Sequence, residues 1–255
     1  MISYEKLLKI PLKEIKDIDI SMLIEEHGVI CLTDFYTKNE IDELNEIYNH
    51  LQKFIPIIQK NNEFSKVRQI GSNTIGTYLT HKTDDIILHL RPDGKLRYDI
   101  SCNKFFKPLP KMIHINNLIE NLFKNYNSKC IVDQGIIVSR PKSERGDWHR
   151  DNNRRRHTST LNSIKTELCP RYITILIPLV DFIFENGTPE FIVNSHNDSE
   201  INLNKIIKKN ENKKTIRDFI DLNSIIIMTG RIVHRGMGNN TNKDRPTIWI
   251  TYYLE

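Results

Sequence analysis

The 255-residue chain contains no alanine, and only four cysteines, ten prolines and ten glycines. Each scarcity closes off a class of protein. Cys31, Cys102, Cys130 and Cys169 lie far apart with no CxxC pair, which argues against a disulfide scaffold or a cysteine-based zinc site; they read as reduced thiols. Apolar runs are short. None approaches the roughly 18 to 20 residues of a membrane-spanning helix, and mean hydropathy is −0.46. The opening MISYEKLLKIPLKEIKDIDI interleaves Lys, Glu and Asp with Leu and Ile, so no secretory leader is expected and the reading is a cytoplasmic protein. The N-x-[ST] triplets at Asn186, Asn197 and Asn239 therefore do not read as glycosylation sites. Repeats, low-complexity tracts and linkers rich in Gly, Pro or Ser are also missing, which favours one domain over residues 1–255.

Isoleucine (40) and asparagine (26) fill the composition instead, and the isoleucine excess favours β structure. The net charge of +5 is too small to mark a nucleic-acid-binding protein. Its distribution says more: residues 129–171 hold ten basic against five acidic side chains, including Arg154, Arg155 and Arg156.

The first third reads mainly helical. Ser21–His27 ends at Gly28, a C-cap, before the short buried strand Val29–Leu32. Thr37-Lys-Asn-Glu40 has the form of a capping box, and Ile41, Leu44, Ile47, Tyr48 and Leu51 follow at helical spacing. Residues 61–105, polar and punctuated by Gly71, Gly76 and Gly94, predict hairpins or a mobile flap, and Met112–Tyr126 predicts a second helix. From residue 129 the pattern changes to short apolar or β-branched runs at 131–139, 172–180, 190–193, 224–229 and 247–254. Helices followed by strands predict a mainly β protein with flanking helices: residues 1–128 as helical support and flap, and 129–255 as a double-stranded β-helix, the jelly-roll or cupin-like core.

Chemistry concentrates in that second half. In GDWHRDNN, His149 and Asp151 alternate about Arg150, so an extended backbone points both to one face. Two imidazoles and one carboxylate that leave other positions open form the facial triad of non-haem Fe(II) oxygenases. A rival triplet, His196-Asn197-Asp198, exists. Strands recur every 8 to 12 residues or so. Asp151 precedes His234 by 83 residues, enough for the intervening strands of a jelly roll, whereas Asp198 precedes it by only 36. His196, in a turn after Phe191–Val193, reads as structural. Arg245 lies eleven residues beyond His234, where it begins the neighbouring strand; its planar fork of donors suits the carboxylate of an acidic co-substrate.

The segments HRD at 149–151, NGTPEFIVNSH at 186–196 and HRGMGNNTNKDRP at 234–246 resemble the phytanoyl-CoA dioxygenase (PhyH-like) family of Fe(II)/2-oxoglutarate oxygenases, as does the opening EEHGVICLTDFYTKNEIDEL. The resemblance is carried by the order and joint spacing of these islands between about residue 25 and residue 253. It does not extend to residues 57–125. It implies that His149, Asp151 and His234 hold Fe(II), that 2-oxoglutarate chelates the metal, that Arg245 pairs with its distal carboxylate, and that O2 takes the remaining position. Ser139, Tyr172 and Thr174 are polar candidates for further 2-oxoglutarate contacts. Asp151 at the carboxylate position implies hydroxylation rather than halogenation. The expected substrate is a small or carrier-linked molecule, anionic because Arg154, Arg155 and Arg156 lie near the proposed iron; Trp148 is core or pocket wall. Hydroxylation of protein or nucleic acid, a zinc hydrolase on the same ligands, and a non-catalytic jelly roll binding through loop 150–157 are the alternatives. That loop has no aromatic residue, which counts against single-strand nucleic-acid binding.

Overall fold

The computed structural model describes residues 6–61, 64–65, 78–82, 86–93, 96–123, 130–151, 172–198, 202–210 and 215–254. Its early helices carry the signals expected of them. The first, α1 (Ile20–His27), starts at Asp19, whose side chain accepts from the Ser21 and Met22 amides, and stops at Gly28 with φ +74°. The next, α2 (Lys38–Gln52), opens on the capping box of Thr37 and Glu40 and buries Ile41, Leu44, Ile47, Tyr48 and Leu51. Two more, α3 (Phe54–Asn61) and α4 (Met112–Phe123), complete the N-terminal helices, and α5 (Leu203–Asn210) follows later.

Thirteen strands are described: β1 (Lys9–Pro11), β2 (Val29–Thr33), β3 (Phe64–Ser65), β4 (Tyr78–Lys82), β5 (Ile87–Asp93), β6 (Arg97–Cys102), β7 (Cys130–Ser139), β8 (Tyr172–Pro178), β9 (Glu190–Ile192), β10 (Thr215–Ile216), β11 (Ile225–Thr229), β12 (His234–Arg235) and β13 (Arg245–Leu254). Ten of them form one sheet in the order β1-β2-β11-β8-β13-β7-β6-β5-β4-β3, and a second sheet runs β10-β9-β12. The architecture is a large mixed sheet with helices, facing a smaller one in jelly-roll fashion without closing into a barrel. One expectation needs refining. The N-terminal half is not only a helical support, because β1 to β6 continue the same sheet; β6 pairs along β7 from Arg97↔Ser139 to Cys102↔Gln134 and so covers an edge that would otherwise be unpaired. The hairpins expected within 61–105 are β4, β5 and β6; Gly71, Gly76 and Gly94 lie outside the described residues.

Strand periodicity divides the core in two. Ile136 and Val138 of β7, Ile173, Ile175 and Ile177 of β8, Ile225 and Ile227 of β11, and Ile248 and Ile250 of β13 pack with Leu44, Ile47 and Leu51 of α2 and with Ile115 and Ile119 of α4. Leu176, Ile226, Met228 and Trp249 point the other way and meet Phe182, Phe191, Ile216, Ile220 and Ile232 between the sheets. Cys31 and Cys102 are buried thiols, and burial pushes them up to about 11 and about 12. They stay protonated at neutral pH, as expected of reduced structural cysteines.

Candidate metal centre

The segment after β7 reaches the small sheet by pairing with the turn that follows His234. Gly146 donates its amide to the Gly236 carbonyl at 2.8 Å, and His149 and His234 exchange both backbone hydrogen bonds at 2.9 Å. The islands of sequence interlock here. Gly187, at φ +90°, lies so close to Met237 and Gly238 that a Cβ would stand 2.4 Å from the Gly238 carbonyl oxygen. Asn239 is fully buried, and its side chain donates to the carbonyls of Ser139 and Lys243. Asn186 and Asn239, two of the three N-x-[ST] asparagines, thus work inside the fold, and Asn186 closes its own turn by donating to the Asp181 carbonyl.

His149, Asp151 and His234 converge, with one donor atom from each lying within 4.8 Å of the others. Nε2 of His149 stands 3.8 Å, and Nε2 of His234 3.6 Å, from Oδ1 of Asp151. Each imidazole is oriented by the carbonyl two residues before it: His149 Nδ1 is 2.9 Å from the Asp147 oxygen and His234 Nδ1 is 3.1 Å from the Ile232 oxygen. A carbonyl can only accept. Both Nδ1 atoms therefore carry a proton, and in the neutral ring Nε2 is the nitrogen whose lone pair can ligate. Burial, reinforced by His149 and opposed by Asp151, lowers His234 to about 4, which keeps it neutral at physiological pH. On the carboxylate, Thr174 of β8 donates to Asp151 Oδ2 at 2.8 Å and leaves Oδ1 toward the imidazoles. Two imidazoles with Nε2 turned inward and a carboxylate whose outer atoms are already engaged fit a divalent transition-metal ion with open positions.

Arg245 is 4% exposed at the start of β13, directly opposite Ser139 of β7. It donates to Ser139 Oγ at 2.7 Å and lies 5.4 Å from the Phe182 ring, while its Nε has no acceptor. The carboxylate next to it in sequence does not serve it: Asp244 faces Arg140 and the Tyr48 hydroxyl. Burial, then the neighbouring guanidiniums of Arg97 and Arg217, pull Arg245 down to about 9. A buried cation surrounded by cations is stabilised by an anion.

Other expected residues fall elsewhere. Thr174 supports the carboxylate of Asp151, and Tyr172 lies near Asp151 at the far end of β13 from Arg245. Trp148 packs on the cluster of Ile192, Ile206 and Val233, with the Arg235 guanidinium 4.0 Å from its ring centre. His196 is buried, bonds the Glu25 carbonyl at 2.9 Å and sits against Gly28, which bears out its structural reading. Arg154, Arg155 and Arg156 lie outside the described residues. Arg97 was not singled out from the sequence. It donates to the Glu144 carbonyl at 3.2 Å and packs against Gly146 and Gly236, bracing both metal-site loops from β6. The only available signal was the alternation Arg97-x-Asp99-x-Ser101 on one strand face. A cleft of about 650 Å³ lined by Lys142–Arg145, Phe184, Arg217 and Met237 contributes no residue to the cluster.

A jelly roll that gathers two histidines and an aspartate in this way belongs to the class of non-haem iron, 2-oxoglutarate-dependent oxygenases. The chain belongs to the phytanoyl-CoA dioxygenase (PhyH) family, which it matches over residues 24–247. Its fold is shared with AviO1 from Streptomyces viridochromogenes (14% identity, 90% of this chain and 91% of that one, TM-score 0.55). It is shared as well with EctD from S. alaskensis, seen with bound Fe (14%, 93% and 77%, 0.56). A third relative in fold is HygX from Streptomyces hygroscopicus, seen with nickel, 2-oxoglutarate and hygromycin B (11%, 91% and 85%, 0.54). No helix among the described residues is long and apolar enough to cross a membrane.

Proposed function

We propose that the protein hydroxylates a small molecule with Fe(II), 2-oxoglutarate and O2, and that His149, Asp151 and His234 hold the iron. When bound, the metal and 2-oxoglutarate supply a two-electron oxidation coupled to decarboxylation, giving succinate and CO2 and leaving one oxygen atom on the substrate. The chain's own part is arrangement. The Asp147 and Ile232 carbonyls fix the imidazole tautomers, and Thr174 fixes Asp151, so the ligands meet the metal with little reorganisation. Arg245, assisted by Ser139, offers a buried bidentate seat to the distal carboxylate of 2-oxoglutarate. Phe182 and Trp249 supply apolar wall that helps exclude water from the space between the sheets.

The observation that carries this reading is the pairing of a His-Asp-His cluster with a separate buried guanidinium that lacks a carboxylate partner among the described residues. A zinc hydrolase would use the first and have no need of the second. The anionic or carrier-linked substrate expected from the sequence draws on Arg154, Arg155 and Arg156 alone; the described wall near the cluster carries a carboxylate instead, Asp133. The test is release of labelled CO2 from 2-oxoglutarate labelled at C1, with Fe(II) and air. The wild type releases it and Asp151→Ala does not; release that survives Asp151→Ala, or none from protein that has bound both ligands, contradicts the proposal.

A further inference from the structure

Beyond the metal cluster, away from Arg245, the inner face of the large sheet carries a different chemistry. Strand register aligns Asp133 of β7 with Thr251 of β13, and Thr251 with Thr174 of β8. All three lie on the face opposite Ile136, Ile173 and Ile250, which belong to the helix-packed core. Thr174 reaches Thr251 at 3.4 Å and Asp151 at 2.8 Å, so a row of polar side chains runs from the cluster to Asp133. Two residues along, Tyr172 and Tyr253 face each other across the same strand pair, with ring centres 5.8 Å apart and nearly parallel. Burial raises the Tyr172 phenol, and the charges of Asp151 and then Asp133 raise it further, so this side chain lies in the field of both carboxylates.

We infer that this end of the inner face, where Asp133, Tyr172, Thr251 and Tyr253 lie together, receives a cationic group of the substrate, an ammonium, at about two strand spacings, ~10 Å, from the Thr174 side of the cluster. The inference rests on the oxygenase reading and adds a substrate class to it. Asp133 is half-buried, and among the described residues no Lys, Arg or His forms a salt bridge with it. Burial pushes its carboxyl up to about 6, and the nearby Tyr253 hydroxyl only partly offsets the rise. An ammonium placed there would hold the carboxylate ionised, while the threonine and tyrosine oxygens accept its remaining N–H bonds. That face is thus polarised: guanidiniums of Arg245 and Arg97 at one end, a carboxylate at the other.

Protein loaded with Ni(II) and saturating 2-oxoglutarate would be titrated with cyclohexylamine, cyclohexanol and cyclohexanecarboxylate, one ring carrying three different charges, and dissociation constants read by ligand-observed NMR. The amine is expected to bind about tenfold tighter than the alcohol, a difference of about 1.4 kcal/mol, with the carboxylate weakest. Asp133→Asn should erase the preference and Asp133→Glu retain it. Titration of each variant with 2-oxoglutarate checks that it is folded. Equal binding of amine and alcohol, no binding of the amine, or an undiminished preference in Asp133→Asn overturns the inference while leaving the oxygenase reading in place. Failure of 2-oxoglutarate to bind the wild type removes both.

Discussion

The two faces of β8 and β13 are one residue apart in register and opposite in character. Toward the helices, Ile173, Ile175, Ile177, Ile248 and Ile250 form a dry wall. Toward the small sheet, the same strands present Tyr172, Thr174, Arg245, Trp249, Thr251 and Tyr253. A strand period of two lets one backbone serve as scaffold and as site, because the hydrogen-bond ladder that fixes the isoleucines also fixes the spacing of the polar groups. Substitutions on one face should therefore change ligand affinity with little loss of stability, and those on the other the reverse.

The largest effect is expected at the cluster itself. His234→Ala should abolish stoichiometric Fe(II) binding, measured as metal content after anaerobic loading. Arg245→Ala should weaken 2-oxoglutarate by about 30-fold or more, equivalent to roughly 2–5 kcal/mol, with Fe(II) binding intact; calorimetry of the Ni(II) form separates the two. On the opposite face, Ile175→Ala should lower unfolding free energy by about 2–5 kcal/mol in denaturant titration, while the folded fraction keeps its affinity for both ligands. A smaller change is expected from Thr174→Val, which frees Asp151 to turn: roughly 10- to 100-fold in metal affinity. Least of all, Thr37→Ala should cost about 1 kcal/mol of stability through the lost cap of α2 and leave the site untouched. A stability loss in Arg245→Ala as large as that in Ile175→Ala, with unchanged 2-oxoglutarate binding, would break the comparison.

How far the sequence reveals this arrangement depends on whether the cause is local. Caps, the helix at residue 38 and the apolar run of β8 are written in neighbouring residues and were legible. So was the meeting of His149 with Asp151, set by a two-residue repeat; Arg245 does begin a strand as expected, but that strand lies in the large sheet while His234 lies in the small one. The roles of Thr174 and Ser139 were only half legible. Both are polar residues on the inner face, but which partner each meets depends on strand order: β8 lies beside β13 near Asp151, and Ser139 lies opposite Arg245. The position of Arg97 beside the metal-site loops and the alignment of Asp133 with Thr251 and Thr174 were not legible, since both come from strand order in a ten-stranded sheet. His196 shows the converse. Its triplet mimics the metal motif, yet its Nε2 is taken up by the Glu25 carbonyl.

The most direct test of the central claim is an anaerobic titration of metal-free protein with Fe(II) and 2-oxoglutarate, followed by the visible charge-transfer absorption of the ferrous chelate. A band is expected that saturates at one equivalent of iron, disappears in His149→Ala, Asp151→Ala and His234→Ala, and requires much more 2-oxoglutarate in Arg245→Ala. Folded wild-type protein that binds neither ligand, or a band indifferent to those three substitutions, would contradict it.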